Sequence, residues 1–255
     1  MDNKLYKIKI IALPFAGGNK QSYRDIEKLK PRNLEWITLE LPGRGARFKE
    51  KLLDDLILMV NDLFSQIIMH IPKGDYIIYG HSMGTLLGYE LVKKLIINNL
   101  PLPNCLFFTG RGSPETNSSE KTSTLPNPLF WKKIREIGGL TDEILECQEL
   151  LDLYYPILKN DFKAIENYKY KKMNFQFPIP IHVCLGKDEV GTGNKKTSIS
   201  EVENWGKETV FPVEPEFLNG DHFFIFKHPQ LIMQKLCKAH ESSKNLNLRS
   251  KKIKI

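Results

Sequence analysis

A mostly parallel β-sheet covered by helices on both faces is the fold class this chain predicts, and three observations predict it. Short runs rich in Ile, Leu, Val and aromatic residues alternate with stretches whose apolar residues recur at helical spacing. Pro14, Pro42 and Gly110 close three of those runs, at the edge where such sheets carry their sites. Third, the pentapeptide Gly80-His81-Ser82-Met83-Gly84 joins a strand-like run to a helix-like one.

Taken in order, the strand-like runs are Lys7 to Leu13, Trp36 to Leu41, Tyr76 to Tyr79, Cys105 to Thr109 and Ile181 to Leu185. Leu52 to His70 and Leu86 to Leu100 carry apolar residues at helix period between them. Strands alternating with helices imply parallel pairing, because a parallel connection needs a crossover. The segment from about 113 to 177 breaks the rhythm. A polar loop, Ser113 to Asn127, precedes three helical patterns, Leu129 to Ile137, Thr141 to Leu153 and Leu158 to Tyr168. A long stretch without a convincing strand, lying between two strands, reads as a helical insertion. Its aromatics (Phe130, Trp131, Tyr154, Tyr155, Phe162, Tyr168, Tyr170) suit a small private core or a lid over an apolar substrate, most of them as core.

The 255 residues fit one α/β domain with an inserted subdomain. Residues 1–239 are expected to form that domain, with the helical lid insertion at about 113–177. Residues 240–255 hold Lys244, Arg249, Lys251, Lys252 and Lys254 against the single acid Glu241, and are expected to be a basic, disordered tail. The net charge is +7, but basic residues interleaved with stacking aromatics are missing from the tail, so no nucleic-acid role is expected. No apolar run approaches the roughly 20 residues of a membrane span. The start Met-Asp-Asn-Lys lacks the apolar stretch of a secretory signal. The four cysteines form no metal-type spacing and read as reduced thiols, so the expectation is a cytoplasmic protein with no metal and no cofactor.

A serine in a tight strand-to-helix turn needs small neighbours, since flanking Cβ atoms would clash, and Gly80 and Gly84 supply them. The turn lifts the Ser82 hydroxyl clear of the sheet, and the helix that follows turns its positive end towards any oxyanion formed there. A hydroxyl is a poor nucleophile at neutral pH and needs an oriented base. Among six histidines, His81 lies inside the turn, His182 in a strand, His70 at a helix end, His228 near a helix start and His240 in the tail. His222, in the loop Gly220-Asp221-His222-Phe223-Phe224, remains as the base. The acid should follow a strand between the insertion and His222. Asp188, after Ile181 to Gly186, is favoured over its rivals Glu189 and Asp221: Asp221 adjoins the histidine, and Glu189 stands one residue too far along for a Gly-x-Asp turn. The order Ser, acid, His is that of α/β-hydrolases. Two backbone N–H groups should form the oxyanion hole: Met83, directly after the nucleophile, and Phe15 in the loop Pro14-Phe15-Ala16-Gly17-Gly18, with Ala16 the neighbouring candidate.

With those residues in place the chain resembles a type II thioesterase, the stand-alone editing hydrolase of polyketide and nonribosomal peptide assembly lines. The resemblance rests on Pro14 to Gly18, Leu41-Pro42-Gly43-Arg44-Gly45 with Arg47, Gly80 to Gly84, Gly138-Gly139, Pro156 to Phe162 with Tyr168, Pro180 to Asp188, and Gly220 to Phe224. These blocks run in the family's order over about residues 7 to 236. The Pro-Gly-Arg-Gly block and the Asp161-Phe162 pair are the specific ones. The chain departs from the family at Lys159-Asn160, where Arg-Ala is common, and at Phe15, often a histidine. The resemblance implies an acyl or aminoacyl substrate held as a thioester on the phosphopantetheine arm of a carrier protein, which is the expected partner; the enzyme itself is expected to be a monomer. Three other readings compete. A carboxylesterase or lipase acting on oxygen esters would not explain the Pro-Gly-Arg-Gly block. A malonyl-type acyltransferase would lack the late acid-then-histidine pair. A catalytically idle carrier-binding module would have a broken triad.

Overall fold

The computed structural model describes residues 8–71, 75–116, 121–192 and 196–252. The first strand, β1 (Ile8–Leu13), ends where the sequence places it; its expected first residue, Lys7, lies outside the described residues. It pairs in parallel with β2 (Leu34–Thr38) on one side and β3 (Tyr76–His81) on the other. From β3 the sheet continues through β4 (Leu106–Thr109), β5 (Ile181–Gly186) and β6 (Glu216–Leu218), every pairing parallel. The strand β6 is not legible in the sequence. It is only three residues long, follows Pro212 and Pro215, and is defined by its register against Cys184, Leu185 and Gly186.

The strands are apolar on both faces, as a sheet covered on both sides requires. Along β1, Ile11 and Leu13 join one core, together with Ile78, Leu106 and Phe108. The same core includes residues of α2 (Leu56–Ile67) and α3 (Met83–Ile97). Ile10 and Ala12 face the other way, into a second core with Tyr23 and Ile26, the latter in the short α1 (Arg24–Glu27). That core is closed by α8 (Phe224–Lys227) and α9 (Pro229–Lys252), through Phe224, Ile232 and Leu236. The two-residue period of side-chain direction along a strand produces this division. The helix α3 is buried almost all round because it lies between the sheet and α2. Asp55 caps α2, its side chain accepting from Leu58 N at 2.9 Å.

Between β4 and β5 the chain forms α4 (Asn127–Ile137), α5 (Asp142–Glu146) and α6 (Gln148–Asn167). Phe130, Trp131, Ile134 and Leu158 make a third, private core, with Tyr154, Tyr155 and Phe162 packed on it. The sequence predicts separate helices over Thr141 to Leu153 and Leu158 to Tyr168, with Pro156 between them, but the break falls earlier, at Cys147. In the structure α6 runs through that proline, because residues on both sides of it, Leu151 and Tyr154 before and Leu158 and Phe162 after, pack on the same core. Shorter α7 (Ile199–Glu203) follows β5 and is capped by Ser198, whose hydroxyl accepts from Glu201 N.

The boundary expected at residue 239 is not a break in the fold. The helix α9 passes it without interruption and reaches Lys252, and residues 253–255 lie outside the described residues. His240 and Ser243 are buried. His240 Nε2 lies 2.9 Å from Asp75 Oδ1, and Asp75 also accepts from Asn104 Nδ2 at 2.8 Å. Helical spacing from Ile232 and Leu236 brings residues 240 and 243 to the face that meets the sheet, a continuation hidden by the polar composition.

Candidate active site

The C-terminal ends of the parallel strands form one edge, and the loops after β1, β3, β5 and β6 bear Phe15, Ser82, Glu189 and His222 respectively. Ser82 stands between β3 and α3 with φ 53° and ψ −114°, a left-handed backbone that a non-glycine residue adopts only where its surroundings hold it. Its N–H donates to Thr109 O at 2.9 Å, and its carbonyl accepts from Thr85 N and Thr85 Oγ1. The pentapeptide glycines are needed for close approach. A Cβ on Gly80 would stand 2.3 Å from Gly84 O, and one on Gly84 would stand 2.9 Å from Leu13 O.

Ser82, His222 and Phe15 line one cavity of about 410 Å³. Its walls towards the insertion are Ile134, Ile137, Leu140, Ile144, Leu158 and Phe162, while Asn19, Gln21, Ser22 and Asp25 line a polar side. A second hollow, of about 500 Å³, is lined by residues from Ile96 to Leu102 and from Phe175 to Pro178, and neither Ser82 nor His222 borders it. Among the described residues the backbone N–H groups of Met83, Phe15 and Ala16 donate to no protein group, as an oxyanion hole requires of its donors. Met83 begins α3, so its N–H belongs to the helix's positive end.

The carboxylate that faces the histidine is Glu189. Its Oε2 lies 2.7 Å from His222 Nδ1, and its Oε1 accepts from Gly186 N at 2.8 Å. This corrects the expectation of Asp188, which is exposed and whose N–H donates to Gly220 O. A 3-10 turn over Lys187–Glu189 is the reason. Three residues per turn bring position 189 back over Gly186, and the longer glutamate side chain then reaches the loop of His222. Position 188 is rotated outward. The rival Asp221 is also turned away, its carboxylate paired with Lys227.

His81 is not a bystander on the surface of the turn. It is fully buried, its Nδ1 3.0 Å from Thr109 Oγ1, and its ring centroid 4.9 Å from that of His222. Phe15, Phe223 and Phe224 complete its surroundings. Burial, reinforced by the neighbouring His222, holds its pKa well below the ordinary histidine value. His81 therefore stays neutral beside the His222 ring. The sequence places it inside the turn, but nothing in the motif shows the contact with His222.

A serine on a strand-to-helix elbow, a histidine–carboxylate pair across one cavity and a parallel sheet define a member of the α/β-hydrolase class. Within that class the comparisons are specific: residues 8–239 match the family model described as the thioesterase domain, and the chain belongs to that family. It is 28% identical over 232 residues to a protein of Brevibacillus parabrevis named linear gramicidin dehydrogenase LgrE, covering 89% of this chain and 85% of that one. It is 27% identical over 239 residues to the gramicidin S biosynthesis protein GrsT of Aneurinibacillus migulanus, covering 92% and 90%. Among solved structures it is similar to ClbQ from the colibactin NRPS/PKS pathway, with 29% identity, a TM-score of 0.86 and coverage of 94% and 99%. No helix of the described residues is long and apolar enough to cross a membrane.

Proposed function

We propose that this chain is a type II serine thioesterase that hydrolyses acyl or aminoacyl thioesters from the phosphopantetheine arm of carrier proteins, unblocking a polyketide or nonribosomal peptide assembly line. The observation that carries the reading is the single cavity on which Ser82 and His222 open, with Glu189 behind the histidine and an apolar wall from the insertion opposite. The insertion is then a lid, and the acyl group lies against Leu140, Ile144, Leu158 and Phe162. The thermodynamic drive for an apolar acyl group to enter is the burial of its surface.

In this mechanism His222 takes the proton of Ser82 as the hydroxyl attacks the thioester carbonyl. Glu189 accepts from His222 Nδ1–H, fixes the tautomer that leaves Nε2 free, and stabilises the imidazolium. The N–H groups of Met83 and Phe15 receive the oxyanion, Ala16 being the adjacent alternative. The tetrahedral intermediate expels the phosphopantetheine thiol, which takes the proton from His222. Water, deprotonated by His222, then cleaves the acyl-Ser82 ester. A thiolate leaves more readily than an alkoxide, so the site needs little acid assistance. The names of relatives from gramicidin and colibactin pathways support an assembly-line setting. A cytoplasmic monomer fits such a role.

The test is hydrolysis of an acyl-phosphopantetheine carrier protein by the purified chain against the matched oxygen ester. The thioester should be preferred, and Ser82→Ala should abolish both turnover and any acyl adduct seen by mass spectrometry. A preference for the oxygen ester, or an adduct that persists in Ser82→Ala, would sink the proposal.

A further inference from the structure

We propose that Asp161 of the lid helix, gripped by Arg44, is a positioning residue of the oxyanion hole. The inference rests on the thioesterase reading above and adds to it a physical link between the acyl-binding helix and the loop that stabilises the oxyanion. Arg44 is 2% exposed and Asp161 is fully buried. The pair is bidentate: Arg44 Nη1 meets Asp161 Oδ2 at 2.7 Å and Arg44 Nη2 meets Oδ1 at 2.8 Å. Oδ2 takes a second donor, the backbone N–H of Gly17, at 2.7 Å. Arg44 Nη1 also approaches Gly18 O at 3.4 Å. The two side chains thus hold an N–H and a C=O of consecutive residues in the loop after β1.

That loop is the one that carries Phe15 and Ala16. It is closed by Gly18 N donating to Phe15 O at 2.8 Å, so the orientation of the Gly17 and Gly18 peptides fixes where the Phe15 and Ala16 N–H groups point. Its far end is braced as well: Glu40 accepts from Lys20 N through Oε1 and from Ala46 N through Oε2, both at 2.9 Å, tying the loop to the Pro-Gly-Arg-Gly block. On the other side Asp161 lies on α6 between Leu158 and Phe162, which line the cavity. An acyl chain resting on α6 therefore touches the helix within one turn of the carboxylate that orients the oxyanion donors.

Stability alone is a poor account of this pair. Removing two charges from water costs about as much as their attraction returns, and replacing a buried ion pair by apolar residues is often neutral or stabilising. Directional grip on a catalytic loop is what an apolar pair cannot supply. Because misplacing a catalytic donor by about 1 Å can cost on the order of 100-fold in rate, the grip matters through kcat.

The experiment uses the full chain with an acyl-N-acetylcysteamine thioester, Asp161→Asn, and the double variant Arg44→Met/Asp161→Leu, which removes both buried charges together and keeps the test open if the single variant does not fold. In folded protein we expect kcat to fall about 10- to 100-fold with KM within about threefold. Affinity for an alkyl boronic acid, whose adduct on Ser82 places an oxygen in the hole, should fall in parallel. Affinity for a non-hydrolysable acyl amide should not change. Wild-type kcat in the folded double variant would overturn the proposal, as would a kcat loss with boronic acid affinity untouched. If the unmodified chain neither hydrolyses the thioester nor takes a fluorophosphonate on Ser82, the hydrolase reading itself fails, and the inference fails with it.

Discussion

Glu189 Oε2 lies 2.7 Å from His222 Nδ1, while the neighbouring Asp188 is turned to solvent. Two adjacent carboxylates on one 3-10 turn thus have different surroundings, and only Glu189 faces His222. Glu189→Gln should lower kcat by about 10³- to 10⁴-fold, because the amide presents the wrong hydrogen-bonding partner to the imidazole and stabilises no positive charge. Asp188→Asn should leave kcat within about twofold. Steady-state hydrolysis of one thioester by both variants decides the matter, and a collapse in Asp188→Asn with activity kept in Glu189→Gln would reverse the assignment.

His81 makes a prediction about pH. Its folded-state pKa lies well below the ordinary 6.5 because it is buried and faces His222, so below that ordinary value the unfolded chain binds a proton that the folded chain refuses. Stability should be full above about pH 6.5 and fall as pH drops from there towards the depressed value, by up to about 1.4 kcal/mol per pH unit. His182, also lowered chiefly by burial, adds in the same direction. Urea midpoints between pH 7.5 and 5 measure the slope. A His81→Leu chain should show a shallower one, and an unchanged slope would mean that His81 does not titrate as described.

The C-terminal helix gives a prediction about stability rather than catalysis. Truncation after Ala239 deletes the His240–Asp75 contact and the Ser243 hydroxyl that donates to Ala239 O, and leaves Asp75 without one of its partners. The loss should be about 1–3 kcal/mol, read as a lower melting temperature, with kcat per folded molecule kept. Truncation after Lys244 retains both contacts and should melt close to the full chain. Equal melting temperatures for the two truncations would show that residues 240–244 contribute nothing.

Much of this protein is decided by local pattern. Apolar runs of strand length between helical stretches give a parallel sheet, because consecutive parallel strands need crossovers, and Gly80 and Gly84 can flank Ser82 in that way only where a strand turns sharply into a helix. His222 is reached as the expected base by elimination, since the other histidines have other places to be. The choice between Asp188 and Glu189 could not be made that way. It depends on the rotation of a single 3-10 turn and on the distance to a loop more than thirty residues away, neither of which a sequence pattern encodes. The same holds for β6, which is a strand only because β5 offers it a ladder, and for His240, which is polar by composition but buried by its position on a long helix. The sequence marks Arg44 and Asp161 as members of two separate blocks. Only the tertiary structure joins them, because a buried charge must find its partner in space, and the partner lies 117 residues along the chain.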